Sequence, residues 1–192
     1  MLKSHLLATG LLATLITAPA FAQTTTPITP GTNAADQQQI EQGLQSGQLS
    51  TGEASKLERE QQTLDRDESK GDSQTQLQNQ QNKFENSVTR LDNNSVTGNP
   101  NSTNDQRMQT DVQRNINQQN RIQSGVNSGQ VTPGEESRLE RGQAHVNRAE
   151  ANSHGHMTKA RQANIQGKEN HQSKRIYNKK HNAATSTTTG SP

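Results

Sequence analysis

The side chains best suited to coordination chemistry are the five histidines after residue 22, all in the C-terminal third of the chain. His154 and His156 flank a glycine in a predicted turn, and His145 lies one helix length upstream. Imidazole nitrogens bind Zn²⁺, Cu²⁺ and Ni²⁺, so these three residues form a candidate transition-metal site. No cysteine and no pair of histidines at helical i, i+4 spacing accompanies them, and the alternative is three exposed side chains without a ligand.

A second candidate for metal chemistry is a glycine turn that occurs twice, at Gly47 and Gly129. A glutamate follows six residues later, at Glu53 and Glu135, as it does in the calcium loop of an EF-hand. The positions that should supply the other carboxylates have none, and Leu44 occupies one of them. We therefore interpret the glutamates as helix-capping residues. Calcium binding at these turns is the less favoured alternative, and we expect no cofactor.

Helix starts are specified in the same two places. Ser50 and Thr132 each begin an S/T-x-x-E capping box, in which the hydroxyl and the glutamate satisfy free N–H groups of the first turn. Glycine suits the residue just past a helix end, because it adopts the left-handed conformation at little cost. The sequence thus predicts, twice, a helix end and a new helix start within a few residues.

Catalytic constellations are not found in the sequence. It contains no nucleophile beside a base, no glycine-rich phosphate loop and no paired carboxylates set in an apolar segment. Leu, Ile, Val and Phe account for 20 of the 170 residues after Ala22, too few to enclose a dry active site. We predict that the protein is not an enzyme and that any cores are small and local.

The first 22 residues have the organisation of a secretory signal, with a short polar start, an apolar run and Ala-Phe-Ala before the expected cleavage after Ala22. The run is too short for a membrane span, so no transmembrane segment is expected after cleavage. We predict a periplasmic or secreted protein of a Gram-negative bacterium. With no cysteine, the chain has no disulfides.

An internal repeat organises the rest of the chain, because residues 122–141 repeat residues 40–59 at a constant offset of 82. Further on, the offset becomes 88. Each copy has the periodicity of three short helices. The predicted fold is all-α, with two three-helix units joined by a disordered linker and with disordered termini. The predicted segments are 23–34 disordered, 35–94 first unit, 95–116 linker, 117–182 second unit and 183–192 disordered tail.

Neither unit has enough apolar residues to be more than marginally stable alone. The sequence leaves open whether the units pack on each other, form dimers or fold on a partner. Charge is divided unevenly, with net −6 over residues 23–111 and net +6 over residues 156–192. The basic C-terminal region is either a solvated segment or a weak contact for an anionic surface.

Two patterns resemble a known family. R-I-x-x-G-V-x-S-G-x-[LV]-T-P-x-E-x-x-R-L-E at 121–140 and S-x-x-I-Y-x-x-K-H-N at 173–182 are similar to exported proteobacterial proteins that carry one or two such units and have no assigned activity. The resemblance implies the compartment and the unit boundaries. We predict a non-catalytic interaction protein that docks a protein partner or itself. The alternative is a metal-binding or metal-responsive protein that uses the histidines of the second copy.

Overall fold

The structure is a computed structural model that describes residues 30–182, with side chains from Thr32 onward. This part of the chain is all-helical, as predicted. The predicted signal segment 1–22 and tail 183–192 lie outside the described residues. Residues 30–182 contain six helices, which are α1 (Pro30–Ser46), α2 (Thr51–Lys70), α3 (Gln74–Asp92), α4 (Thr103–Asn127), α5 (Pro133–Ala151) and α6 (Lys159–Lys180).

Local hydrogen bonding explains where the helices begin. The N-cap residues of α3, α4 and α6 are Ser73, Ser102 and Thr158, and each hydroxyl accepts from a backbone N–H of the first turn. Helix α2 is followed by Gly71, which has a φ of 80° and so adopts the left-handed conformation that other residues avoid.

The helices of the two copies pack against each other. Helix α1 lies against α4, and α2 lies against α5, while α3 covers the first copy and α6 covers the second. Helices α2 and α5 are antiparallel, because Ser55 contacts Ser153 at one end and Asp65 contacts Asn147 ten residues further along α2. Asp65 and Asn147 are also equivalent positions in the repeat. An approximate twofold axis therefore passes between them, and the two copies form one body.

Apolar side chains form two separate clusters. The larger one joins α1 to α4 and includes Ile40, Leu57, Phe84 and Met108, all fully buried. The smaller one consists of Ile122, Val131, Leu139 and Ile176. The remaining buried positions of α1, α2, α4 and α5 are mostly Asn, Gln, Asp and Glu. Polar side chains thus do much of the packing that apolar residues do in most domains.

Two predicted disordered segments are wrong in part. The linker predicted at 95–116 is helical from residue 103 onward, because Met108 and Val112 lie one turn apart and are buried in the larger cluster. The segment predicted as disordered at 23–34 is helical from residue 30, where Asn33 is fully buried. Its amide donates to carboxylates of α2 and α5, which holds the start of α1 in place.

The remaining linker residues are also ordered. The backbone N–H of Gly98 donates to the carbonyl of Gly47 at 2.9 Å, and a side chain on Gly98 would overlap the backbone of Leu49. The loop is therefore attached to the turn between α1 and α2. None of the helices within residues 30–182 is both long and apolar enough to cross a bilayer.

Candidate functional site: buried carboxylates and a basic groove

The first capping box is formed by Ser50 and Glu53 at the start of α2. The N–H of Ser50 donates to Oε2 of Glu53 at 3.0 Å, and the N–H of Glu53 donates to Oγ of Ser50 at 3.3 Å. Oε1 of Glu53 accepts from Nδ2 of Asn94, just after α3, at 2.6 Å. Burial alone would raise the pKa of Glu53, but the hydrogen bonds from Asn94 and Ser50 hold it below its usual range.

The second capping glutamate is held in the same way. The N–H of Thr132 donates to Oε2 of Glu135 at 3.2 Å, and Asn182 donates to Oε1 at 2.6 Å. Burial alone would raise the pKa of Glu135, but hydrogen bonds from Asn182, Thr132 and Lys179 lower it to about 2. Both glutamates thus join the start of the second helix to the end of the third, and their oxygens already have donors.

The turn glycines are buried or half-buried between helices, whereas the three candidate histidines are exposed. Gly47 and Gly129 have φ values of 75° and 70°, in the left-handed region. His145 is exposed on α5, and His154 and His156 are exposed in the turn after it. Within the described range, three side chains with ligand atoms close enough for one metal ion occur together, and no histidine is among them. The transition-metal site stays a prediction.

The three side chains that could share a metal ion are Asp65 and Glu68 of α2 and Glu140 of α5, and we call them the first carboxylate cluster. One ligand oxygen from each lies within 4.8 Å of the others. Asp65 and Glu140 are fully buried, and Glu68 is half-buried. Amides from the other two helices complete the surroundings, because Asn33 of α1 donates to Glu68 at 2.8 Å and Gln119 of α4 donates to Glu140 at 3.2 Å.

The second carboxylate cluster is the counterpart of the first cluster in the repeat, and we define it as Glu58 of α2 with Glu150 of α5. Gln37 donates to Glu58 at 3.0 Å, and Asn115 donates to both oxygens of Glu150 at 2.9 and 2.8 Å. The position equivalent to Asp65 is Asn147, which donates to Asp65 at 2.7 Å. The two clusters are thus joined by a hydrogen bond across the approximate twofold axis.

Burial dominates the electrostatics of both clusters. It raises the pKa of Glu58 and of Glu68 to about 7 each, and it raises the pKa of Glu140 well above its usual range. Nearby carboxylates add to the effect at Glu140, because Glu68 and Asp65 repel its charged form. At neutral pH these clusters therefore require protons or a bound cation to balance their charge.

Sequence reasoning missed these carboxylates, although the repeat contains a signal for them. The pattern E-x-x-Q-x-x-x-[DN]-x-x-E occurs at 58–68 and again at 140–150, with the same offset of 82. Its four polar positions lie on one face of a helix. A polar stripe normally indicates a solvated face, and only its repetition alongside the apolar positions suggests otherwise.

A second candidate site is the α5–α6 groove, an open surface groove made of two adjoining cavities of about 650 and 550 Å³. Val146 and Ile165 lie at its base, and both are almost completely buried. No Asp or Glu lines it. Its walls carry six basic or imidazole side chains, which are His145, Arg148, Arg161, Lys168, His171 and Arg175.

The first copy does not reproduce this groove. Glu60 of α2 is equivalent to Gly142 of α5, and it accepts a hydrogen bond from Ser87 of α3 at 3.0 Å. Asp67 accepts from Gln80 of α3 at 2.8 Å, and Gln80 is equivalent to Lys168. In the first copy, carboxylates therefore bridge the two helices, whereas the second copy has no acid at either position.

Comparisons of the chain with protein-family models, with curated proteins and with solved structures found no match. What the molecule binds is therefore inferred from its own residues. The groove offers cationic side chains and no carboxylate, which suits an anionic ligand.

Proposed function

We propose that this chain is a non-catalytic, exported helical protein that docks an acidic segment of a partner protein in the α5–α6 groove. The observation that carries the proposal is the one-sided charge of the groove: six cationic or titratable side chains and no carboxylate line it. The predicted secretory signal, residues 1–22, precedes the described residues.

Cationic side chains in the groove are available for such a partner. Among residues 30–182, no ion pair involves Arg148 or Lys168. An acidic segment would supply the missing counter-charges. The groove is a concave surface of a size that an extended polypeptide segment can enter, and this shape supports a protein segment as the partner.

Charge reversal in the groove should weaken binding of an acidic peptide. In fluorescence anisotropy with a fluorescein-labelled, glutamate-rich amphipathic peptide, we expect the double variant Arg148→Glu/Lys168→Glu to bind at least tenfold more weakly than the parent chain. The matched control is Lys56→Glu/Lys83→Glu, which makes the same charge change at exposed positions of the first copy and should alter the affinity less than twofold.

Equal loss of affinity in the two double variants would show that the peptide responds only to net charge, and the proposal would be wrong. A second arm replaces the peptide with phosphatidylglycerol vesicles. Binding to the vesicles without binding to the peptide would assign the basic surface to a membrane instead. The affinity for the peptide should also fall as the salt concentration rises, because the contact is electrostatic.

A further inference from the structure

The first carboxylate cluster is a concentration of negative charge with no cationic side chain to balance it. Asp65, Glu68 and Glu140 come from two helices and meet in the interior. None of the ion pairs within the described residues includes them. Glu136 adds a further negative charge near Glu68. Burying several like charges together is strongly unfavourable unless protons or a cation neutralise them.

Unpartnered oxygens in the same place point to a cation. Asn33 is fully buried, and its Nδ2 contacts Oε2 of Glu68 at 2.8 Å and Oε2 of Glu140 at 3.4 Å, while its Oδ1 accepts no hydrogen bond. Gln119 is also fully buried, and its Oε1 is unpartnered, as is Oε1 of Glu140. Rotating either amide by half a turn exchanges its nitrogen for its oxygen, which then faces the carboxylates.

The ligand set is made only of oxygen. Carboxylate and amide oxygens suit hard cations, whereas zinc, copper and nickel sites normally include nitrogen or sulfur. Calcium binds six to eight oxygens at about 2.4 Å, so ligand atoms on opposite sides of the ion lie about 4.8 Å apart. The three carboxylate oxygens lie within that distance of one another. Magnesium demands a smaller, regular octahedron and retains its waters, which a buried site of this kind does not favour.

The second carboxylate cluster is an internal control provided by the repeat. It has two carboxylates, Glu58 and Glu150, because Asn147 replaces the third. One of its amides is better satisfied, since Oδ1 of Asn115 accepts from Nε2 of Gln143 at 2.9 Å, whereas Oε1 of Gln37 is unpartnered like its equivalent in Gln119. The equivalent oxygen of the first cluster, Oδ1 of Asn33, has no such donor. The same four helices thus build one cluster with three carboxylates and an unpartnered amide oxygen at Asn33, and one with two carboxylates in which the equivalent oxygen of Asn115 has a donor.

We propose that Asp65, Glu68 and Glu140, together with the amide oxygens of Asn33 and Gln119, bind one calcium ion between α1, α2, α4 and α5. The ion links all four inner helices. This site is separate from the α5–α6 groove, and it does not depend on the docking proposal. It also differs from the capping turns, where Glu53 and Glu135 already accept hydrogen bonds.

The test is calcium binding to the full chain after chelation, measured by equilibrium dialysis and by thermal unfolding in circular dichroism. We expect one calcium ion per chain and an unfolding temperature that rises with calcium concentration, since a ligand that binds only the folded state stabilises it. Glu140→Gln should weaken the affinity at least tenfold. Glu58→Gln is the matched control at the equivalent position of the second cluster, and it should change the affinity less than threefold.

Three results would overturn the proposal: no saturable binding at 1–5 mM calcium, on the order of extracellular calcium sites; equal weakening by the two variants; or a preference for zinc or nickel over calcium. If Glu140→Gln fails to fold, Gln119→Leu replaces it. That variant removes one amide ligand, and its apparent affinity should fall while the affinity of Gln37→Leu, its counterpart, stays at the parent value.

Discussion

At the scale of single residues, the molecule depends on protons held in its interior. The carboxyls of Glu58 in α2 and Glu150 in α5 are both fully buried, and burial favours their protonated forms. Burial raises the pKa of Glu58 from 4.5 to about 7, and it raises the pKa of Glu150 well above its usual range. Between about pH 4.5 and 7, the folded state therefore holds more protons than the unfolded state, and its stability falls as the pH rises.

Glu58→Gln should remove much of this pH dependence, because the amide keeps the shape and cannot ionise. In chelator, we expect the unfolding temperature of the parent chain to fall by on the order of 5 °C or more between pH 5 and pH 8. The unfolding temperature of the variant should fall clearly less over this pH range. That of Asp72→Asn, a substitution outside the clusters, should fall as much as that of the parent chain. Identical pH profiles for the parent and Glu58→Gln would contradict the interpretation that Glu58 holds a proton in the folded state.

At the scale of elements, the turn between α5 and α6 fixes the start of α2. The N–H of Gly155 donates to Oγ of Ser55 at 2.8 Å, and its carbonyl accepts from Nδ2 of Asn104 at 2.6 Å. Gly155 has a φ of 78°, and a β-carbon there would overlap the backbone of Thr51 and Gly52. Only glycine fits this position, because both its conformation and its close neighbours exclude a side chain.

Gly155→Ala should therefore destabilise the fold by about 2 kcal/mol or more, measured as the free energy of unfolding in urea. The matched control is Gly134→Ala in α5, where an added β-carbon has no neighbour within 4 Å. That control should be neutral or slightly stabilising, because alanine favours a helix over glycine. Similar losses from both substitutions would mean that the turn does not pack on α2.

Element starts were the most predictable part of the fold. The capping signals at Ser50 and Thr132 are short-range, so the sequence contains all the information needed to place the starts of α2 and α5. The first half of α4 was missed because its asparagines and glutamines look like a linker, and only Met108, Val112 and Ile116, spaced four residues apart, indicate a buried helix face.

The candidate sites were not predictable in the same way. Counting apolar residues underestimated the core, because buried Asn, Gln, Asp and Glu fill much of it and form hydrogen bonds across helices. Whether such residues are buried depends on the antiparallel contact between α2 and α5. No short-range pattern encodes that contact. The groove likewise depends on which sides of α5 and α6 remain uncovered.

At the scale of the whole molecule, the two copies of the repeat pack into one folded unit. Each copy alone would expose the carboxylate face of its second helix to water. Packing α2 on α5 brings those faces together, and the equivalent residues Asp65 and Asn147 then meet at the axis. Two aspartates there would repel each other, so the asparagine in one copy makes the contact favourable.

The measurement that tests this arrangement most directly is a disulfide across α2 and the turn after α5. Oγ of Ser55 lies 3.3 Å from Oγ of Ser153, and the sequence has no cysteine. Oxidised Ser55→Cys/Ser153→Cys should form a monomeric, intramolecular disulfide with no free thiol and a raised unfolding temperature. Ser55→Cys/Ser137→Cys, at the far end of α5, should stay reduced. Free thiols or disulfide-linked dimers from the first variant would contradict the packing of the two copies into one folded unit.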